Sequence, residues 1–191
     1  MDIEELKLNI SGGPKRVEGF QNVDALPWDG ATDVLHDLTV FPYPFPDEVV
    51  SEILSQETLE HISWRHTGQV LKEFYRILQR KGKLSIQVPD CGQMMDDWVE
   101  NRICECVPHK PIDVENAKAD PDCRDCFGLA VVHPDRWLMA FTGAQKHEFD
   151  YHRNIFTKNS LHSELVEAGF IVTEIKSDKY NWKIIANCVK V

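Results

Sequence analysis

The sequence has no apolar run near the roughly 18 residues that a membrane helix needs, and its opening MDIEELK is acidic where a signal peptide would be basic. No arginine-rich run occurs either, and the formal net charge is -10. Broad affinity for nucleic acid rests on Lys and Arg set against phosphates, so no nucleic-acid partner is expected. Internal repeats and low-complexity tracts are also missing. These absences point to a soluble, cytoplasmic protein with no membrane partner. A length of 191 residues fits one domain with a sizeable core.

Six cysteines are present, and four of them crowd into one stretch as Cys104, Cys106, Cys123 and Cys126. Without an export signal, such crowding suggests thiols or a metal more than disulfides.

Strand-like alternation begins at Leu6, Leu8 and Ile10, and Ser11-Gly12-Gly13-Pro14 closes it. FQNVD (20–24) reads as a second short strand. The link between them is about nine residues, whereas a parallel crossover usually takes about a dozen or more. Either the pair is antiparallel or the crossover helix has shrunk to a turn. TDVLH (32–36) fits a third strand and runs into Asp37. Pro42, Pro44 and Pro46 then forbid a helix. VVSEILS (49–55) is rich in β-branched residues and reads as a buried strand. Leu71, Phe74, Tyr75 and Leu78 recur at helical spacing, with Gly82 as the expected stop.

KLSIQVP (83–89) supplies a further strand. The segment at about 91–143 has little periodicity and reads as an irregular, Cys-rich insertion. Order returns where Thr157 can cap a helix, Leu161, Leu165 and Ala168 share a face, and Gly169 ends it. FIVTEIKS and WKIIANCVKV close the chain as two strands. Alternating strands and helices, with a glycine loop after the first strand, argue for an open α/β sheet.

The ordered series LNISGGPKRVEGFQNVD, DVLHDL, PFPDE, LEHI and VLKEFYRILQRKGKLSIQVPD resembles a class I S-adenosylmethionine-dependent methyltransferase. It is most like a compact, methyltransferase type 11-like group that begins at the first strand and has a reduced first helix. The resemblance covers about 6–90 and resumes at GAQKHEFDYHRNIFTKNSLHSELVEAGF. It implies a single domain over 1–191. The fold it implies is a Rossmann-like three-layer sandwich on a mostly parallel seven-stranded sheet whose last strand is antiparallel.

The same resemblance implies S-adenosylmethionine as cofactor and distributes its contacts. Asn9, Ser11, Gly12 and Gly13 fall under the methionine part. Asp24 takes the ribose hydroxyls, with Ala25 beside it, a use of a strand-end carboxylate also met in dinucleotide folds. Asp37 and Leu38 match the adenine contacts, as a carboxylate for the amino group and an apolar cover. Gln56 and Glu57 end the fourth strand and face the cleft. The family usually has glycine where Ser11 stands.

Methyl transfer needs an aligned acceptor and, for some acceptors, a base. HEFDYH offers His147, Asp150 and His152. Alternation would put His147 on one face, and Asp150 with His152 on the other as orienter and base. His61 in LEHI reads first as a packing residue at a helix start, and Trp64 and Trp98 likewise as packing residues. Cys104, Cys106, Cys123 and Cys126, with His109 near them, match paired zinc ligands imperfectly, because Cys-x-Cys is less usual than Cys-x-x-Cys. A structural zinc and free thiols both remain open. The expected function is methyl transfer to a small-molecule or glycan-like acceptor. A noncatalytic, methyltransferase-like binding or scaffold protein is the alternative.

Overall fold

A computed structural model describes residues 5–100, 122, 134–178 and 181–191. The chain parts into two compact units, 1–90 with 153–191, and 91–152.

The first unit holds a seven-stranded sheet in the order β3-β2-β1-β4-β5-β7-β6. Its strands are β1 (Leu6–Ile10), β2 (Gln21–Asp24), β3 (Val34–Leu35), β4 (Val50–Gln56), β5 (Leu78–Pro89), β6 (Ile171–Asp178) and β7 (Lys183–Val189). Strands β1 to β5 pair in parallel, and β7 runs antiparallel to both β5 and β6. The topology is a Rossmann-like, mostly parallel seven-stranded sheet with an antiparallel last strand.

β1 and β2 settle as a parallel pair, with Leu8 opposite Gln21 and Ile10 opposite Val23. Only turns connect them. In place of a crossover helix, Arg16 pins the link through a forked pair to Asp33 at 2.8 and 2.9 Å and a bond to the Gly30 carbonyl at 2.9 Å. Asp33 also accepts the Asn22 amide at 2.8 Å. The Arg16 guanidinium and that amide hold the Asp33 carboxyl below its usual range.

Helix α1 (Trp64–Ile77) starts one turn ahead of its periodic stripe, where the Ser63 hydroxyl accepts the Arg65 amide. It buries Thr67, Val70, Leu71, Phe74 and Ile77. Gly82 is not its stop. Leu78 already takes extended geometry (φ -66, ψ 135), and β5 begins there, so Leu78 is fully buried as a strand residue. Helix α4 (Lys158–Glu167) behaves as expected, with a Thr157–Ser160 capping box, buried Leu161 and Leu165, and Gly169 beyond its end at φ 104. The third strand is shorter than TDVLH suggests, although the Asp33 and His36 amides still donate to the Asn22 and Asp24 carbonyls of β2.

The second unit contains α2 (Cys91–Val99) and α3 (Pro134–Thr142), so the stretch read as irregular holds two short helices. Trp98 and Phe141 bring them together, with ring centroids 5.8 Å apart. Among the described residues, no helix is long and apolar enough to cross a membrane.

Candidate functional site

The strand order reverses between β1 and β4, the topological switch point at whose carboxyl edge open α/β sheets bind ligands. The loop after β1 reaches across to β2: the Ser11 amide donates to the Val23 carbonyl (2.7 Å) and the Gly13 amide to Asp24 Oδ2 (3.1 Å). Asp24 Oδ1 accepts the Leu26 amide at 2.9 Å. Each Asp24 oxygen therefore takes one backbone donor and keeps acceptor capacity.

Each residue of the loop has its own reason. Ser11 and Gly13 sit at φ 53 and 59, the left-handed region that favours glycine. Gly12 has a different duty. A Cβ there would collide with the Asn9 amide nitrogen and come within 2.9 Å of Asn22 Oδ1. Asn9, only 5% exposed, donates to Asn22 Oδ1 at 2.8 Å. Its side chain thus ties β1 to β2 through one of its two amide hydrogens. Around Gly13, an added Cβ would meet nothing within 4 Å.

Beyond β3, Asp37 Oδ1 accepts both the amide and the hydroxyl of Thr39 at 2.8 Å. Leu38 is 5% exposed and packs in the core, where its carbonyl accepts the Tyr43 hydroxyl at 3.0 Å. Burial, reinforced by the Glu73 and Asp37 carboxylates, pushes the Tyr43 hydroxyl far upward, which keeps it a donor. Ala25 is partly exposed beside Asp24.

At the end of β4, Gln56 and Glu57 are exposed. Glu57, at φ 51, accepts from Gln87 Nε2 at 3.0 Å and pairs with Lys183 Nζ at 3.5 Å. Thr58 donates to the Ile10 and Gln56 carbonyls, tying the ends of β1 and β4 together. The single 3-10 turn Leu59–His61 follows, with Glu60 buried in it.

The HEFDYH segment lies in the second unit and is a turn rather than an alternating strand. The Asp150 amide donates to the His147 carbonyl at 3.0 Å, and the Asp150 carboxylate closes the turn on the Lys146 amide at 3.1 Å. His147 is exposed, and the His152 amide donates to the Thr142 carbonyl. Cys104, Cys106, Cys123, Cys126 and His109 lie outside the described residues. Sequence reasoning passed over Asn22, Glu60, Gln87 and Lys183. The one available signal was an acidic residue enclosed by Leu59 and Ile62.

A methyltransferase-domain family model matches residues 23–86. No curated protein matches by sequence. Among solved structures, an S-adenosylmethionine-dependent methyltransferase from Mesorhizobium loti is 12% identical, over 97% of this chain and 90% of its own, with a TM-score of 0.56. A Burkholderia thailandensis 1,6-didemethyltoxoflavin-N1-methyltransferase was solved with 1,6-didemethyltoxoflavin and S-adenosylhomocysteine bound. It is 13% identical, over 97% of this chain and 71% of its own, with a TM-score of 0.56. The cyclase SpnF is also similar, at 10% identity, 97% and 75% coverage and a TM-score of 0.52. The chain therefore resembles class I S-adenosylmethionine-dependent methyltransferases, in sequence over 23–86 and in fold over nearly its whole length.

Proposed function

We propose that the protein binds S-adenosylmethionine at the carboxyl edge of β1, β2 and β3 and transfers its methyl group to a small-molecule or glycan-like acceptor. The observation that carries this reading is Asp24: a nearly buried carboxylate at the end of β2, held by the Gly13 and Leu26 amides, with lone pairs left on both oxygens. That donor and acceptor set fits a ribose diol. Open space at Gly13 fits the close approach of a ligand, and Asp37 Oδ2 fits an exocyclic amino group beside a carboxylate already fixed through Oδ1.

S-adenosylmethionine supplies an electrophilic methyl group, so the protein's share of the work is alignment and proton handling. Ser11 and Gly13 present backbone at the end of β1, Asp24 fixes the sugar, and Gln56 and Glu57 face the cofactor from the end of β4. The small-molecule acceptor is supported by the ligand of the Burkholderia neighbour and by the net charge of -10, which disfavours nucleic acid. The segment at about 91–143 is read as an insertion within one domain, with Cys104, Cys106, Cys123 and Cys126 either as ligands of a structural zinc or as free thiols. Metal analysis of protein purified without added zinc tests that part, and less than a tenth of an equivalent counts against the zinc.

Calorimetric titration with S-adenosylmethionine and S-adenosylhomocysteine tests the central reading. Saturable binding is expected, and Asp24→Ala should weaken it about tenfold or more through the lost charged hydrogen bonds. Silence at high micromolar ligand sinks the enzyme reading. Ser11 at φ 53, at a position where the resemblance implies glycine, favours one alternative, a protein that binds without transferring. Binding with no transfer to any hydroxyl, amine or sugar acceptor would select it.

A further inference from the structure

The turn after β4 holds a group that the cofactor reading leaves unused. Glu60 has only 2% of its side chain exposed, and neither carboxyl oxygen has a hydrogen-bond partner among the described residues. A polar group sealed away without a partner is costly, and an apolar residue of similar size would remove that cost. The backbone nevertheless holds it in place. The Glu60 carbonyl accepts the Arg153 and Asn154 amides at 2.7 and 3.0 Å, and Thr58 ties the same turn to β1.

The imidazole of His61 is the neighbour on which this carboxyl can act. His61 Nε2 lies 4.0 Å from Glu60 Oε1, and 22% of the His61 side chain reaches solvent. Glu57 from the end of β4 and Lys183 from the start of β7 also act on Glu60. Burial first, and the Glu57 carboxylate second, raise the Glu60 carboxyl well above its usual range, while Lys183 opposes them. At 4.0 Å inside a water-poor turn, a carboxylate at Glu60 favours the protonated imidazole of His61, and the two groups share one proton.

We propose that Glu60 and His61 act as one proton-accepting pair at the carboxyl end of β4, His61 taking the proton that a hydroxyl or amine acceptor gives up and Glu60 serving as the positioning residue. This rests on the methyltransferase reading. As the acceptor is methylated, its O–H or N–H bond breaks and an acceptor electron pair forms the bond to the methyl carbon. The proton goes to His61, and the electron pair of the carbon–sulfur bond stays with sulfur. The pair then loses its proton to water.

The test follows the imidazole resonances of the full chain by NMR against pH, in wild type, Glu60→Gln and Glu60→Asp. Glu60→Gln should lower the His61 midpoint by about one unit, a tenfold loss of proton affinity, and Glu60→Asp should restore part of it. A His61 midpoint unchanged in Glu60→Gln overturns the pair. Where an acceptor turns over, kcat should fall in Glu60→Gln with the alkaline-rising limb displaced. Calorimetry with S-adenosylhomocysteine separates the two readings: binding retained in Glu60→Gln with an unmoved His61 rejects the pair alone, and absence of binding in wild type rejects the enzyme.

Discussion

Asn9 Nδ2 donates to Asn22 Oδ1 across 2.8 Å in the buried seam between β1 and β2, and the Cβ that Gly12 lacks would fall onto that bond. The glycine in the middle of the loop is thus required by strand pairing, while its neighbours at positions 11 and 13 answer to backbone conformation. Gly12→Ala should therefore destabilise the fold by about 1–3 kcal/mol, the usual cost of forcing extra volume into a packed site. In an Asn9→Ala background the added methyl has room, and the cost should drop by about 1 kcal/mol. Denaturant unfolding of the four proteins of the cycle measures both, and strictly additive effects would show that the collision is absent.

Ser11 occupies φ 53 with its amide already bonded to Val23. A residue with a Cβ in this region costs about 1–2 kcal/mol, part of which glycine returns through the greater freedom of its unfolded chain. Ser11→Gly should raise stability by about 1 kcal/mol or less, and Ser11→Val should lower it by more. The affinity for S-adenosylhomocysteine should hold or improve in Ser11→Gly. A lower melting temperature in that variant would show that the loop is not strained at this position.

These two positions also mark how far the sequence could be read. Alternation at Leu6, Leu8 and Ile10, the stripe of Leu71, Phe74, Tyr75 and Leu78 and the Thr157 cap placed the first strand and both helices of the first unit, because each pattern is local. The parallel pairing of β1 with β2 was not legible. It depends on Arg16 reaching Asp33 and Gly30, a contact across 17 residues with no periodic signature. Leu78 fitted the helical stripe equally well, yet its burial belongs to β5, since a buried leucine looks alike in either element. Two short helices in 91–152 left too few turns to show a period. Within the site, Asp24 was visible from its place at a strand end. Glu60 was not, because its lack of partners is a property of the packed turn.

Lys190 Nζ reaches back to the end of α1, donating to the Leu78 carbonyl at 2.8 Å and approaching the Arg76 carbonyl at 3.5 Å. With 7% of its side chain exposed, it pairs with Glu48 at 3.1 Å and stands 4.8 Å from the Tyr75 ring centroid. The ammonium thus serves carbonyls at the point where the chain passes from helix to strand. Lys190→Met keeps the apolar stem and removes the donor, so it should cost about 1–3 kcal/mol. Glu48→Gln removes only an exposed partner and should cost less than about 1 kcal/mol. Equal melting temperatures for Lys190→Met and wild type would reassign those carbonyls to solvent.

Glu60 makes the opposite prediction, a substitution that strengthens the fold. Its carboxyl ionises near 4.5 when unfolded and well above that when folded. Between those two values the folded protein holds the extra proton, so stability falls as pH rises through the window and is flat above it. Glu60→Met removes both the buried acid and its pH dependence, and should stabilise by about 1–3 kcal/mol near neutral pH, with little change below pH 4. Urea unfolding of both proteins from acid to neutral pH checks the sign, since the two curves should meet in acid and separate upward. If the chain retains Glu60 for its action on His61, the stabler Glu60→Met protein should bind S-adenosylhomocysteine normally while its His61 titrates at lower pH. A protein that lost stability in this exchange would show that Glu60 already has a partner in the folded state.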